Sequence, residues 1–184
     1  MKKIIIIAAA FIGFTSAANA QTNASSTAQQ TVQLNLSNAL EITFNGSGTT
    51  GATVALPFTT ADDYANGVES GAQTLKVRSN KNFTVSVKTS GANFMVTNNG
   101  STATSSMPAS VLGVMLTANN TGGQIGQGFS TSAYNSLSAT AANLITNATN
   151  GGNQTFAVKY KATPGFTYPA GTYTTDVIYT ATQQ

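Results

Sequence analysis

The side chains that most often carry out catalysis are scarce in this chain. It contains no histidine and no cysteine, so it lacks the commonest general base, the usual zinc ligands and the thiol nucleophile. Its acidic residues are Glu41, Asp62, Asp63, Glu69 and Asp176. A glycosidase needs two carboxylates on either side of a substrate, whereas the adjacent Asp62 and Asp63 would point to opposite faces of an extended strand. We therefore expect no catalytic residues and no enzymatic activity.

Two short segments contain residue types that bind ions in other proteins. Residues 62–69 are rich in oxygen atoms but lack the alternating ligands of an EF-hand. We interpret them as a solvated turn whose acids cap nearby amides, with a calcium loop as the alternative. Residues 122–128 contain four glycines but neither a dinucleotide-binding pattern nor a P-loop, which indicates a flexible loop. We expect no metal ion and no cofactor.

Four basic residues lie close together in the sequence: Lys76, Arg78, Lys81 and Lys88. If the alternating runs at 75–78 and 83–88 form a central hairpin, these side chains share its outer face or its tip. Such a patch could bind an acidic polysaccharide or a lipid headgroup. The alternative is that the lysines keep exposed strands soluble and discourage pairing at sheet edges.

The N-terminal residues have the three parts of a secretory signal peptide. Lys2 and Lys3 precede an apolar run at 4–14, and Ala18 and Ala20 mark a small-residue cleavage site. The apolar run is shorter than the roughly 20 residues that span a bilayer. We therefore predict a signal peptide at 1–20, export through the Sec pathway, and a mature domain at 21–184 that is extracellular, on the cell surface or periplasmic.

The charge of the predicted mature chain is nearly balanced. Without residues 1–20, eight basic residues become six against five acidic ones, so the net charge falls from +3 to about +1. Binding to nucleic acid requires clustered positive charge, which this balance does not favour. We expect no nucleic-acid partner.

The pattern of the mature chain favours strands almost throughout. Charged residues make up 7% of the chain, compared with about 25% in typical domains. Turn signals such as Asn66-Gly67 and Asn150-Gly151 separate short runs in which apolar and polar residues alternate. These runs lie at 31–37, 41–44, 52–56, 75–78, 83–88, 93–97, 111–117, 155–161 and 172–181. The spacing predicts a single all-β domain of about 8–9 antiparallel strands.

Two stretches depart from the alternating pattern. Tyr134, Leu137, Ala141, Leu144 and Ile145 recur at three- and four-residue steps, which predicts a short helix near 133–145. Residues 98–110 are rich in serine, threonine and alanine and predict a long loop.

The two ends of the mature chain carry a family resemblance. An alternating run at 31–37 follows the leader, and the chain closes with an Ala-Gly-Thr-Tyr turn at 170–173 and another alternating strand. Together with the cysteine-free composition rich in Ser, Thr, Asn and Gly, this layout resembles bacterial β-sandwich pilins. These include chaperone-usher fimbrial subunits of the colonisation-factor type and spore-coat-U-like exported domains. The resemblance covers essentially the whole mature chain.

The resemblance implies an immunoglobulin-like β-sandwich and a structural role in a fimbrium, with a part in cell adhesion. In fibre-forming members the N-terminal strand of one subunit completes the sheet of the next. Here Val32, Leu34 and Leu36 would be the inserted side chains. The expected partners are copies of the chain or related subunits, and a periplasmic chaperone.

Two alternatives stay open at the level of the sequence. Residues 31–37 could be the first strand of a self-contained sandwich. Such a sandwich could also be a secreted carbohydrate-binding or adhesion module, with Tyr64, Phe129, Tyr134 or Tyr168 in its loops contacting surface glycans.

Overall fold

The computed structural model describes residues 24–98 and 100–184. The chain divides into a part that ends at Asn35 and a larger part, Leu36–Gln184. In the first part, residues 24–35 form no helix or strand and are exposed. The predicted signal peptide at 1–20 lies outside the described residues. No helix within the described ranges is long and apolar enough to cross a membrane.

The larger part consists mainly of strands. Nine strands of five or more residues occur among the described residues: β1 (Leu40–Phe44), β3 (Gln73–Ser79), β4 (Phe83–Thr89), β5 (Asn93–Asn98), β6 (Ser101–Pro108), β7 (Leu112–Asn120), β10 (Ala142–Ala148), β11 (Gly151–Ala162) and β13 (Val177–Gln183). Shorter elements are α1 (Ala61–Asn66), β2 (Val68–Glu69), a 3₁₀ helix at Ala109–Val111, β8 (Gln124–Ile125), β9 (Asn135–Ser136) and β12 (Thr172–Thr174). The predicted all-β, sandwich-like fold is confirmed.

The strands form three antiparallel sheets. The largest has the order β1-β3-β11-β7-β9, with β2 also paired to β11. The second has the order β13-β4-β10-β8, and the third β12-β5-β6. Alternate residues of β3, β4, β7 and β11 point into one core, where Val77, Phe83, Leu116 and Phe156 are almost completely buried. Period-2 burial along these strands follows the alternation in the sequence.

The predicted central hairpin is wrong, because β3 and β4 belong to different sheets. β3 pairs with β1 and β11, while β4 pairs with β10 and β13. The Ser79 hydroxyl donates to the Lys81 carbonyl at 2.6 Å and accepts from the Lys81 amide at 3.2 Å. These bonds hold the chain where it crosses between sheets. A crossing and a hairpin both join two alternating runs by a short polar turn, so the sequence pattern fits either one.

The predicted helix at 133–145 is also wrong, since the segment contains β9 and the start of β10. Leu144 and Ile145 are adjacent yet both fully buried. The register of β10 against β4 shifts on either side of Ile145, and Asn147 has a φ of 52°. Such a bulge adds a residue to the strand and breaks the period of two, which explains why the adjacent Leu144 and Ile145 are both buried.

Two other predictions fail in opposite directions. The predicted loop at 98–110 contains β6, which pairs with β5; its outward side chains are small and polar, so it shows little hydrophobic alternation. The predicted strands at 31–37 and 52–56 do alternate, but neither is assigned as a strand. Alternating apolar and polar residues identify a segment that can pair as a strand, but they do not show which strand it pairs with.

Candidate functional site

A large open groove lies between the segment that follows β1 and the segment that precedes β13. Residues 49–58 and 168–177 line it, together with core side chains that include Phe44, Phe94 and Tyr160. Its volume is about 1000 Å³. The core side chains that it reaches include Phe94, Met107, Leu112, Tyr160 and Ala162, which are 5–8% exposed, so the groove meets the edge of a covered hydrophobic core.

One lining segment, residues 52–58, is extended but has no strand partner. Val54, Leu56 and Phe58 are half-buried and contact the core, while Thr53, Ala55 and Pro57 between them are exposed. Among the described residues, no backbone hydrogen bond joins 52–58 to another strand. The segment therefore has strand-like packing without a ladder, and its peptide groups are available for pairing, except the nitrogen of Pro57.

The second lining segment leads into β13, an edge strand. β13 pairs with β4 along one side over its whole length, from Val177 opposite Thr89 to Gln183 opposite Phe83. Its other side has no paired strand within the described ranges. Val177, Tyr179 and Ala181 contact the core but are only half-buried. An edge strand of this kind presents unpaired peptide groups to any further strand.

A short helix fixes the end of segment 52–58. Thr60 caps α1, and the Asp63 carboxylate accepts from the Thr60 amide at 2.7 Å and the Thr59 amide at 2.8 Å. These backbone hydrogen bonds lower the pKa of Asp63 below its ordinary value. The acids at 62–69 thus include a capping group, as in the solvated-turn interpretation. No three acidic side chains of the described residues lie close enough to share a metal ion.

Aromatic rings surround this end of the groove. Tyr64 of α1 lies 5.3 Å from Phe58 and stacks on Phe166 at 5.6 Å between ring centroids. Phe166 is 71% exposed. The stack ties the helix to the loop before β12 and leaves one ring available to solvent.

A pair of tyrosines links β13, which carries Tyr179, to β11, which carries Tyr160. The hydroxyl groups of Tyr160 and Tyr179 are 2.8 Å apart, and the Tyr179 ring packs edge-on against Phe44. Burial raises the pKa of Tyr160 to about 12 and that of Tyr179 well above its ordinary value. Both hydroxyls are therefore neutral at physiological pH, and one donates a hydrogen bond to the other.

The predicted donor residues are almost fully exposed. Val32 is 76%, Leu34 80% and Leu36 89% accessible to solvent. Three large apolar side chains at alternate positions are thus left in water, although burying each one would be favourable. The structure assigns no strand to residues 31–37.

The chain joins the sheets at the end of β1 that is distant from the groove. The Asn80 side chain donates to the Ser37 carbonyl at 2.8 Å and accepts from the Ala39 amide at 2.9 Å. β1 then runs from Leu40, opposite Ser79, to Phe44 at the groove. Five residues of strand span about 16 Å, so Ser37 lies well away from the groove.

The four predicted patch residues do not form one patch. Lys76 and Arg78 lie on β3 in the largest sheet, Lys88 lies on β4 in the second sheet, and Lys81 lies in the connection between them. The expectation of a shared face depended on the hairpin, which the structure does not contain.

The four aromatic residues considered for glycan binding are also dispersed. Tyr64 and Tyr168 line the groove, whereas Phe129 packs against the core. Tyr134 lies beside Lys161, whose Nζ is 6.0 Å from the ring centroid. Sequence reasoning missed Phe166 and the tyrosine pair, since neither has a local motif.

Comparison with known proteins identifies no family. The sequence matches no known family profile and no curated protein. One structural neighbour is a family 123 glycoside hydrolase from Clostridium perfringens, described for glycolipid glycan hydrolysis. It is 12% identical, with a TM-score of 0.31 over 81% of this chain. This chain spans 25% of that protein's length. A likeness this weak supports neither a fold assignment nor a function.

Proposed function

We propose that this protein is an exported, fimbrial or pilin-like structural subunit whose copies assemble by strand exchange. Residues 31–37 of one copy would enter the groove of the next and present Val32, Leu34 and Leu36 to its core. The observation that carries this proposal is the combination of an open apolar groove with an exposed alternating segment in the same chain.

The backbone supports insertion of a strand better than binding of a compact ligand. Segment 52–58 and the start of β13, at Val177, line the groove, and within the described residues both have backbone groups with no strand partner. An extended peptide added to such an edge gains main-chain hydrogen bonds, while alternate side chains fill the apolar space. A periplasmic chaperone could occupy the same groove before assembly.

The energy available is large enough to hold copies together. Burial of one aliphatic side chain is worth about 1.5–3 kcal/mol, so three supply roughly 5–9 kcal/mol before the cost of ordering the segment. That amount is comparable with the net stability of a whole domain. It would be realised only when the segment is bound.

The position of Ser37 favours a second copy as the acceptor. The segment joins the domain at the end of β1 that is distant from the groove. An interface formed by different surfaces on the two partners repeats head to tail and gives open filaments. This geometry suits a fibre in an exported, adhesive structure.

The proposal is tested by the association of purified mature chain, residues 21–184, followed by light scattering after size exclusion. We expect Leu34→Asp to weaken association by at least tenfold, because a carboxylate would be buried in the groove. The matched control is Gln33→Asp, which adds the same charge at the neighbouring position with the opposite orientation and should change association less than twofold. If the mature chain and a version beginning at Asn38 are equally stable monomers at all concentrations, strand exchange is wrong.

The exposed aromatic stack favours a second candidate function, a secreted carbohydrate-binding or adhesion module. Phe166 is held by Tyr64 with most of its surface free, as in platforms that bind the apolar face of a sugar ring. Binding of the monomeric domain to a glycan array, abolished by Phe166→Ala, would support it. If neither the domain nor its Phe166→Ala variant binds a glycan on the array, this function is rejected.

A further inference from the structure

The outer face of the largest sheet carries most of the positive charge of the described residues. Of the six basic side chains in those residues, four lie on its two central strands: Lys76 and Arg78 on β3, and Lys159 and Lys161 on β11. The inward neighbours Leu75, Val77, Val158 and Tyr160 are buried in the core. The four basic side chains therefore project from the opposite face.

The register places these cations in a line. Lys76 is opposite Thr155 on β11, and Lys159 and Lys161 follow Thr155 at four and six residues along the same strand. At about 3.3 Å per residue, Lys161 lies about 20 Å from Lys76 along the strands, and Arg78 extends the row by about 7 Å in the other direction. We call this row of Arg78, Lys76, Lys159 and Lys161 the basic row; it is about 27 Å long.

Acidic side chains neutralise only the two ends of the basic row. Arg78 pairs with Glu41 at 3.2 Å, and Lys161 approaches Glu69 at 3.8 Å. Within the described residues, Lys76 and Lys159 form no ion pair. The row has a net charge of +2, in a chain where only 7% of residues are charged.

We propose that the basic row binds a linear anionic polysaccharide. A line of cations along two neighbouring strands matches an extended polymer with repeated negative charges better than a compact ion. Hydroxyl groups of Thr43, Thr74 and Thr155 lie on the same face and can hydrogen-bond sugar hydroxyls. The aromatic ring beside the row, Tyr134, lies under the Lys161 ammonium, so it offers little surface on which nucleic-acid bases could stack. This proposal is independent of strand exchange.

Heparin, a linear sulfated polysaccharide, is a suitable probe. We expect Lys76→Gln/Lys159→Gln to weaken heparin binding by the monomeric domain about tenfold, and binding should fall as salt rises. Lys81→Gln/Lys88→Gln removes the same charge elsewhere and should change binding less than twofold. Unchanged melting temperatures would show that both variants fold. Equal losses in both variants, or a loss in neither, would overturn the proposal.

Two further ligands test the chemical class. Single-stranded DNA and vesicles containing anionic phospholipid should bind more weakly than heparin at equal salt. If either binds more tightly and with the same dependence on Lys76 and Lys159, the row is a site for that polyanion, and the assignment to polysaccharide is wrong.

Discussion

At the scale of single residues, the hydrogen bond between the hydroxyl groups of Tyr160 and Tyr179 joins β11 to β13. Tyr160→Phe removes one partner and leaves the Tyr179 hydroxyl buried without a hydrogen bond, which costs about 1–3 kcal/mol. Replacing both tyrosines by phenylalanine should be closer to neutral, because no unsatisfied group is left. Urea unfolding of the two single variants and the double variant measures this. A double variant that is the least stable of the three would contradict this interpretation.

Asp63 provides a prediction about pH at the same scale. Its pKa is lowered chiefly by hydrogen bonds from the backbone amides of Thr59 and Thr60. A carboxylate with a lowered folded-state pKa stabilises the structure above its ordinary value of 3.8, and that contribution is lost as the pH falls through the lower folded-state value. We expect NMR signals of the Thr59 and Thr60 amides to shift on acidification with a midpoint below 3.8. Asp63→Asn should abolish that transition, whereas Asp62→Asn should leave it unchanged.

At the scale of elements, hydrogen exchange distinguishes the internal strand β4 of the second sheet from its edge strand β13. Amides of β4 are bonded between β13 and β10, whereas β13 pairs with β4 alone in the part of the chain that the structure describes. We expect about half of the β13 amides to exchange rapidly in the monomeric domain and to become protected when a synthetic peptide of residues 24–38 is added. If the same peptide also protects the backbone amides of Thr53 and Ala55 from exchange, the new strand lies against both lining segments. If the peptide binds without protecting β13, insertion at this edge is wrong.

The strands that contribute most of the core can be predicted from the sequence, but the strands that they pair with cannot. Leu75, Val77, Phe83 and Val85 alternate and are buried as predicted. Alternation fixes which face of a strand is buried but not which sheet receives it, so the crossing at Lys81 was predicted as a hairpin. The register shift between Asn143 and Ile145 placed two adjacent buried residues in a strand, which the alternation rule does not predict. The groove could not be predicted either, since segment 52–58 alternates like a strand but has no strand partner among the described residues.

At the scale of the whole molecule, the domain has an opening that reaches its core and an exposed apolar segment of the kind that could close it. Both features are unfavourable in an isolated copy, because apolar surface is left in water. In the proposed assembly, the segment of one copy would fill the groove of the next. The basic row lies on the outer face of the largest sheet, so assembly and ligand binding can be tested with different variants.

Disulfide trapping between copies is a direct test of strand exchange, because the chain contains no cysteine of its own. One mature chain carries Leu34→Cys and a second carries Leu56→Cys; the control pair replaces Leu34→Cys by Gln33→Cys. Strand exchange predicts that mixing the first pair under mild oxidation gives a disulfide-linked dimer of the two variants, with far less from the control pair. No crosslink with Leu56→Cys or with Val54→Cys in its place, or equal crosslinking by the control, would contradict insertion of residues 31–37 into the groove.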